Sequence, residues 1–142
     1  MWHPGPSCWE ISGSFSPPSG SSWREELCLS RRAYGKRIKI YLVHFGGGVS
    51  GHIKLVPQFL DWVEQGFRVY CDTTWTIGFG ARWLMTEIER RGIGEDRVLF
   101  ASDEPWSDFW GEYWKMNGAP VSQELKERVL YQNYEALYGG RG

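Results

Sequence analysis

Three residues whose side chains can exchange protons or bind metals stand at the ends of short apolar segments. They are His44, Asp72 and Asp103. Imidazole and carboxylate groups are common general acids, general bases and metal ligands. A continuous apolar run bounded by turn residues is typical of a strand buried on both faces, as in a parallel sheet. Side chains at the exits of such strands lie where α/β proteins place their chemistry.

The spacing of these segments predicts successive βα units. The predicted strands cover residues 38–43, 67–72 and 97–101, and their starts lie 29 and 30 residues apart. Neighbouring parallel strands lie ~4.8 Å apart, so the exits of the first and third strands would be about 10 Å apart at the backbone. We therefore expect His44 and Asp103 to converge at one edge of the sheet.

Helical patterns occupy the segments between the strands. Apolar residues recur at helical spacing in two sets: Val56, Phe59, Leu60 and Val63, and then Ala81, Leu84, Met85 and Ile88. Because Pro57 fits a first turn but not a helix interior, the first of these helices should begin near Val56. Gly66 and Gly92 should end the two helices, and Ser122 should cap a last one.

Four motifs together resemble a known family. They are residues 44–48 (HFGGG), 70–75 (YCDTTW), 97–106 (RVLFASDEPW) and 128–137 (RVLYQNYEAL). In this order and spacing they are similar to the last three βα units of amidohydrolase-related enzymes, the branch that contains metal-dependent hydrolases and decarboxylases. The resemblance covers about 38–138. It implies an α/β fold: part of a TIM (β/α)₈-barrel, with an irregular N-terminal segment before it.

The resemblance also implies roles for individual residues. Asp103 matches the carboxylate that binds a divalent metal, zinc or manganese, or accepts a proton from its water. His44 matches a histidine that polarises the substrate or activates that water. Asn133 matches a structural asparagine of the final helix. A bound divalent ion lowers the pKa of water from near 16 to about 7. The implied substrate is a small carboxylated or ring-shaped molecule.

Parts of the family pattern are missing. The family carries a His-x-His or Glu-x-His pair on its first strand, whereas this chain has only His3, His44 and His52 and no His-x-His. A complete barrel needs about 250 residues, and this chain has 142. We therefore expect the C-terminal part of a barrel, with weak or no metal binding by the chain alone. Whether it is an enzyme by itself stays open, and self-association or a partner could supply the rest.

Each assignment has a structural alternative. Asp103 could be only a turn former or N-cap, and His44 could be a hydrogen-bonded core histidine. Asp72 is more readily explained as a supporting residue than as a catalytic one, and His52 as a solvated one. The second class of function is a non-catalytic fragment or an aromatic-rich binding module.

Nine tryptophans give the chain its aromatic character. Five stand near the predicted strand exits: Trp75, Trp83, Trp106, Trp110 and Trp114. Aromatic walls suit a planar substrate, so Trp75 and Trp106 are candidate substrate contacts; packing explains these rings equally well. Residues 106–120 show little helical periodicity and are predicted to be a loop at the mouth of the site.

Composition limits the other function classes. A net charge of −1 gives no reason to expect nucleic acid as a partner. No apolar run approaches the roughly 20 residues of a membrane span, and the three cysteines lack metal-type spacing. These features favour a cytoplasmic protein with reduced thiols, and the resemblance implies a small-molecule substrate as its partner. Residues 1–21, rich in Ser, Gly and Pro, are predicted to be disordered, and 22–139 form the partial barrel domain.

Overall fold

The computed structural model describes residues 36–46, 49–74 and 79–139. Within them the chain is mixed α/β, with one parallel three-stranded sheet and helices between and after its strands. The predicted disordered segment 1–21, the residues up to 35 and Trp75 lie outside the described residues. The described part thus has the α/β arrangement that the sequence predicts.

The sheet confirms the predicted order and direction of the strands. It consists of β1 (Ile40–Leu42), β2 (Val69–Asp72) and β3 (Val98–Leu99). β1 pairs with β2 and β2 with β3, both in parallel. The register places Leu42, Cys71 and Val98 side by side, and all three are buried. The carboxyl ends of the strands therefore share one edge, as predicted.

The strands are shorter than predicted, and the flanking contacts explain why. β1 stops at Leu42 because the chain turns into a tight 3₁₀ segment, Val43–Gly46. β3 stops at Leu99 because the next N–H, that of Phe100, donates to the carbonyl of Val129 at 2.8 Å. A local turn thus ends β1, and a hydrogen bond to the final helical region ends β3.

Helix α1 (Val49–Glu64) corrects one prediction, because it begins well before Val56 and contains Pro57 in its interior. A proline inside a helix removes one backbone hydrogen bond and costs about 3 kcal/mol. Full burial of an aliphatic or aromatic side chain contributes about 1.5–3 kcal/mol. Four fully buried side chains flank the proline and offset its cost: Leu55, Val56, Phe59 and Leu60.

The ends of α1 and of α2 (Gly80–Arg91) follow the predicted glycine caps. Gly66 has φ 78°, its N–H donates to the Val63 carbonyl, and the Phe67 N–H donates to the Trp62 carbonyl at 2.9 Å. This pair of bonds is a Schellman cap. Gly92 (φ 64°) likewise donates to Ile88 and closes α2. The predicted core side chains of α2 are buried: Ala81, Leu84, Met85 and Ile88.

Helix α3 (Phe109–Asn117) corrects the prediction of a loop over 106–120. The Asp108 carboxylate caps it by accepting from the Gly111 N–H at 2.6 Å. Its buried side chains are Glu112 and Met116, which are a single helical turn apart. Three of its four aromatic residues, Phe109, Trp110 and Trp114, are exposed, so the usual apolar stripe toward the core is absent from its sequence.

The chain finishes with α4 (Gln123–Glu127), a π-helical turn (Arg128–Gln132) and α5 (Asn133–Tyr138). Ser122 caps α4 as predicted, its hydroxyl accepting from the Leu125 N–H. Across the residues described, no helix combines the length and apolarity needed to cross a membrane.

Candidate functional site

His44 sits in a turn with an uncommon backbone. His44 (φ 54°, ψ 36°) and Phe45 (φ 48°, ψ 42°) both adopt the left-handed conformation, which costs a non-glycine residue about 1–2 kcal/mol. The Phe45 ring is fully buried and packs edge-on against Phe59, with ring centroids 5.7 Å apart. Burial of that ring holds the turn in place and directs His44 back over the sheet edge.

Asp72, at the end of β2, anchors this turn from the neighbouring strand. Its Oδ1 accepts from the His44 N–H at 3.0 Å, from the Thr74 N–H at 3.2 Å and from the Thr74 hydroxyl at 2.6 Å. The side chain is only 3 % exposed. Buried carboxylates require such donors, so Asp72 supports the site rather than reacting in it. This geometry agrees with the supporting role predicted for Asp72.

Thr74 connects Asp72 to the imidazole of His44. The Thr74 Oγ1 lies 2.8 Å from His44 Nδ1, and the residue is buried. His44 is therefore held twice: through its backbone N–H by Asp72 at the end of β2, and through its ring by Thr74 just after β2. The other ring nitrogen, Nε2, points away from this contact.

Asp103 faces that second nitrogen. Asp103 Oδ2 lies 4.0 Å from His44 Nε2, and the two side chains are 31 % (His44) and 30 % (Asp103) exposed. The backbone of Asp103 is also left-handed (φ 57°), and its carbonyl accepts from the Trp106 and Ser107 N–H groups. The structure thus brings together the two residues proposed from sequence, and Asp103 forms a turn as well. Both side chains remain accessible to a small molecule.

Burial and the Asp72 carboxylate shape the electrostatics beneath this edge. Burial raises the pKa of the Cys71 thiol well above its ordinary value, and the charge of Asp72 adds to the effect. Burial likewise raises the pKa of the Tyr41 hydroxyl, again with a contribution from Asp72. Both groups stay neutral at physiological pH. Tyr41 is 36 % exposed, whereas Cys71 is fully buried, so the dry layer directly under the polar edge is the one around Cys71.

Helix α3 contacts the exit of β2 through a lysine. Lys115 Nζ donates to the Thr73 carbonyl at 2.9 Å and forms a close ion pair with Glu112. Glu112 in turn accepts from the Ser107 hydroxyl at 3.2 Å. These contacts fix the segment after β3, and with it the position of Asp103, against β2.

The aromatic residues lie mostly on the surface. Trp106 is 81 % exposed and follows Asp103 by three residues, while Trp83 in α2 is half-buried. Trp110 and Trp114 are exposed on α3 and contact the ring of Tyr113 edge-on. Trp75, the other predicted substrate contact, lies outside the described residues.

The described residues do not form a complete metal centre. Among them, no group of three or more His, Cys, Asp or Glu side chains is arranged to hold an ion. The edge offers at most two donors, Asp103 and His44, whereas a stable zinc site uses three or four protein ligands. Any further ligands would have to come from elsewhere than the described residues.

The sequence did not single out Thr74. Its signal was available in Asp72-Thr-Thr at a strand exit, since an Asp side chain commonly accepts from the backbone N–H two residues later. Here that bond forms between Asp72 and Thr74. The pattern does not contain the third partner, the ring of His44, which reaches Thr74 from the turn after β1.

Comparison with known proteins gives one family. A family model described as amidohydrolase matches residues 32–140, more than three quarters of the 142 residues. The matched segment contains every described element, together with His44, Asp72, Thr74 and Asp103. A search of curated proteins found no match.

Proposed function

The chain belongs to the amidohydrolase family, and on that premise we propose that His44 and Asp103 form part of a site for metal-dependent hydrolysis or decarboxylation. The substrate we propose is a small carboxylated or ring-shaped molecule. One observation carries the proposal: His44 Nε2 and Asp103 Oδ2 lie 4.0 Å apart at the carboxyl edge of the sheet. That separation leaves both groups within reach of one water molecule or one polar substrate atom.

In the proposed reaction His44 transfers the proton. A general acid or base must reach the reacting atom within hydrogen-bond distance, directly or through one water. His44 is suited to this role because Nε2 lies on the side of Asp103 and about a third of its side chain is exposed. Its imidazole is held from behind by Thr74, so little orientational freedom is lost when substrate binds.

Asp103 is the residue we propose to contribute to a divalent ion. The amidohydrolase family generally uses divalent metals, and such an ion, when bound, makes water a stronger acid and polarises substrate oxygens. A carboxylate suits zinc and manganese alike. The described residues supply at most two donors, and we propose that the remaining ligands belong to other parts of a larger (β/α)₈-barrel, reached through self-association or a partner.

The exposed ring of Trp106 is the proposed substrate contact. Trp106 follows Asp103 closely in sequence, and its backbone N–H donates to the Asp103 carbonyl at 2.9 Å. Stacking on an aromatic ring contributes about 0.5–1.5 kcal/mol beyond area burial. Trp75 is proposed for the same role on the basis of its place directly after Asp72-Thr-Thr.

Turnover by the full chain tests the proposal. The purified chain is incubated with millimolar zinc or manganese and a panel of small aromatic carboxylic acids, cyclic amides and lactones, and carbon dioxide release and ring opening are measured. We expect metal-stimulated turnover of at least one compound. Asp103→Asn and His44→Gln should lower it roughly 10²- to 10⁴-fold.

The exposed neighbour Glu104 provides the matched control, since Glu104→Gln changes one carboxylate close to Asp103 in sequence. It should keep the turnover of the unmodified chain. Equal turnover in Asp103→Asn would remove Asp103 from the proposed site. No metal-stimulated turnover of any compound would show that this chain does not catalyse the reaction by itself.

A further inference from the structure

The hydroxyl of Thr74 lies between a buried carboxylate and the imidazole of His44. Its oxygen is 2.6 Å from Asp72 Oδ1 and 2.8 Å from His44 Nδ1. We propose that Thr74 is a positioning residue that determines which nitrogen of the neutral His44 ring carries the proton. The proposal rests on the function proposed for His44 as the proton-transfer group.

Counting protons gives the direction of each bond. A threonine hydroxyl has one proton to donate, and a carboxylate only accepts. Toward Asp72, therefore, the Thr74 hydroxyl donates. Its single proton is then used, so toward His44 Nδ1 the same oxygen accepts. Nδ1 must carry a proton, and in the neutral ring the lone pair is left on Nε2.

The other contacts of Asp72 support this direction. Its Oδ1 also accepts from two backbone N–H groups, those of His44 and Thr74, and neither group can accept a hydrogen bond. Three donors thus converge on one carboxylate oxygen. Asp72 and Thr74 are both buried, so little water competes for these bonds, and in such surroundings hydrogen bonds between side chains strengthen one another.

The consequence falls on the nitrogen that faces the open edge. Nε2 is the atom 4.0 Å from Asp103. Because Nε2 carries the lone pair in this tautomer, it can accept a proton from water or substrate without a prior change of tautomer. If Nε2 carried the proton instead, the neutral ring would have no acceptor on that side. Thr74 thus adapts His44 to act as a base, although it does not reach the reacting atoms.

Nitrogen NMR of the full chain tests this directly. Histidine-labelled protein is studied without substrate, with a chelator present, at pH about 8.5, where an ordinary imidazole is neutral. Long-range proton–nitrogen correlations report which ring nitrogen is protonated, and His44→Gln identifies the signals of His44. We expect the Nδ1–H form in the unmodified chain. Thr74→Val should shift the ratio of tautomers toward Nε2–H roughly fivefold to tenfold.

Thr74→Ser is the matched control, because it restores the hydroxyl and should restore the Nδ1–H form. A packing effect of the valine methyl groups would not produce that recovery. An Nε2–H form in the unmodified chain overturns the proposal, and so does an unchanged ratio in Thr74→Val. The first of these results needs no variant, so a Thr74→Val chain that does not fold leaves the proposal open to refutation.

This measurement separates the proposal from the function on which it rests. An Nδ1–H form in a chain without turnover supports the role of Thr74 and counts against catalysis by this chain. An Nε2–H form in a chain whose turnover depends on His44 and Asp103 does the reverse.

Discussion

Asp72 and Asn133 are both buried polar residues bonded to the sheet region, and they are used in different ways. Asn133 donates from Nδ2 to the carbonyls of Glu95 and Val98, at 2.7 and 2.8 Å. It ties the final helix to the start of β3. Asp72 instead lies at the other end of the strands, where it accepts from the His44 backbone N–H and from the Thr74 hydroxyl, which contacts the His44 ring. The first residue ties two backbone segments together, and the second holds the turn that carries His44, the proposed proton-transfer residue.

The amino and carboxyl ends of the strands also differ in backbone conformation. Across the described residues, turns away from the carboxyl edge reach positive φ at glycines: Gly66, Gly92 and Gly94. The non-glycine residues with positive φ are His44, Phe45 and Asp103, all at the carboxyl edge. Strained residues persist where the surroundings over-determine them, and they gather at functional sites. The amino end of the sheet is therefore held by glycine turns and by Asn133, whereas the strained turns at the carboxyl end place His44 and Asp103.

Removing the Asn133 amide should have the largest effect on stability. In Asn133→Ala the carbonyls of Glu95 and Val98 lose their donor in a buried place. We expect the free energy of unfolding to fall by roughly 2–4 kcal/mol, measured by urea denaturation. The tautomer of His44 should stay as in the unmodified chain, because no bond of the Asp72 and Thr74 network is touched.

Glu135 offers a control on the same helix. Its side chain is exposed, so Glu135→Ala should change stability by less than about 0.5 kcal/mol. A loss below about 1 kcal/mol in Asn133→Ala would mean that water replaces the amide. The distinction between a structural end and a functional end would then lose its main support.

Much of the fold was predictable because it depends on local rules. Strand order followed from the near-equal spacing of apolar runs, and the helix ends followed from Gly66, Gly92 and Ser122. The predicted start of α1 near Val56 was wrong, because the rule that excludes proline from helix interiors considers only local structure. Burial of Phe59 and its neighbours stabilises the helix through tertiary contacts. The prediction of a loop over 106–120 was wrong because most aromatic residues of α3 face outward. That arrangement hides the periodic pattern that usually marks a helix packed on the core.

The sequence predicts which strand ends carry the site residues, but not the side-chain contacts between them. Parallel pairing brings the exits of β1 and β3 to one edge, so the approach of His44 to Asp103 followed from the order of the strands. The Thr74 contact did not follow. It depends on two left-handed residues in the turn and on the buried Phe45 ring that holds them, and no spacing in the sequence expresses that geometry.

The stability of the chain should fall at alkaline pH if the layer around Cys71 is dry. The folded-state pKa of Cys71 is raised, first by burial and then by the charge of Asp72. A raised folded pKa means that stability is complete below the ordinary thiol pKa and is lost as pH rises above it. From pH about 8.5 upward we expect the free energy of unfolding to fall by about 1.4 kcal/mol per pH unit for this thiol.

Urea denaturation at several pH values between about 8 and 10 measures this slope. Cys71→Ala should be less stable near neutral pH but should show a shallower fall, since one thiol no longer contributes. If both chains lose stability equally with pH, water reaches Cys71 in the folded state. The polar edge would then extend into the sheet, and the contrast between the two ends would weaken.

The smallest expected effect is that of added metal. At the carboxyl edge, Asp103 and His44 are the two available donors among the described residues, and two donors do not make a tight zinc site. Calorimetric titration with zinc and with manganese should therefore show no saturation at submicromolar concentration. Metal added at its dissociation constant should raise the free energy of unfolding by only about 0.4 kcal/mol. Stoichiometric submicromolar binding that Asp103→Ala abolishes would contradict this expectation, because residues outside the described ones would then complete the site within this chain.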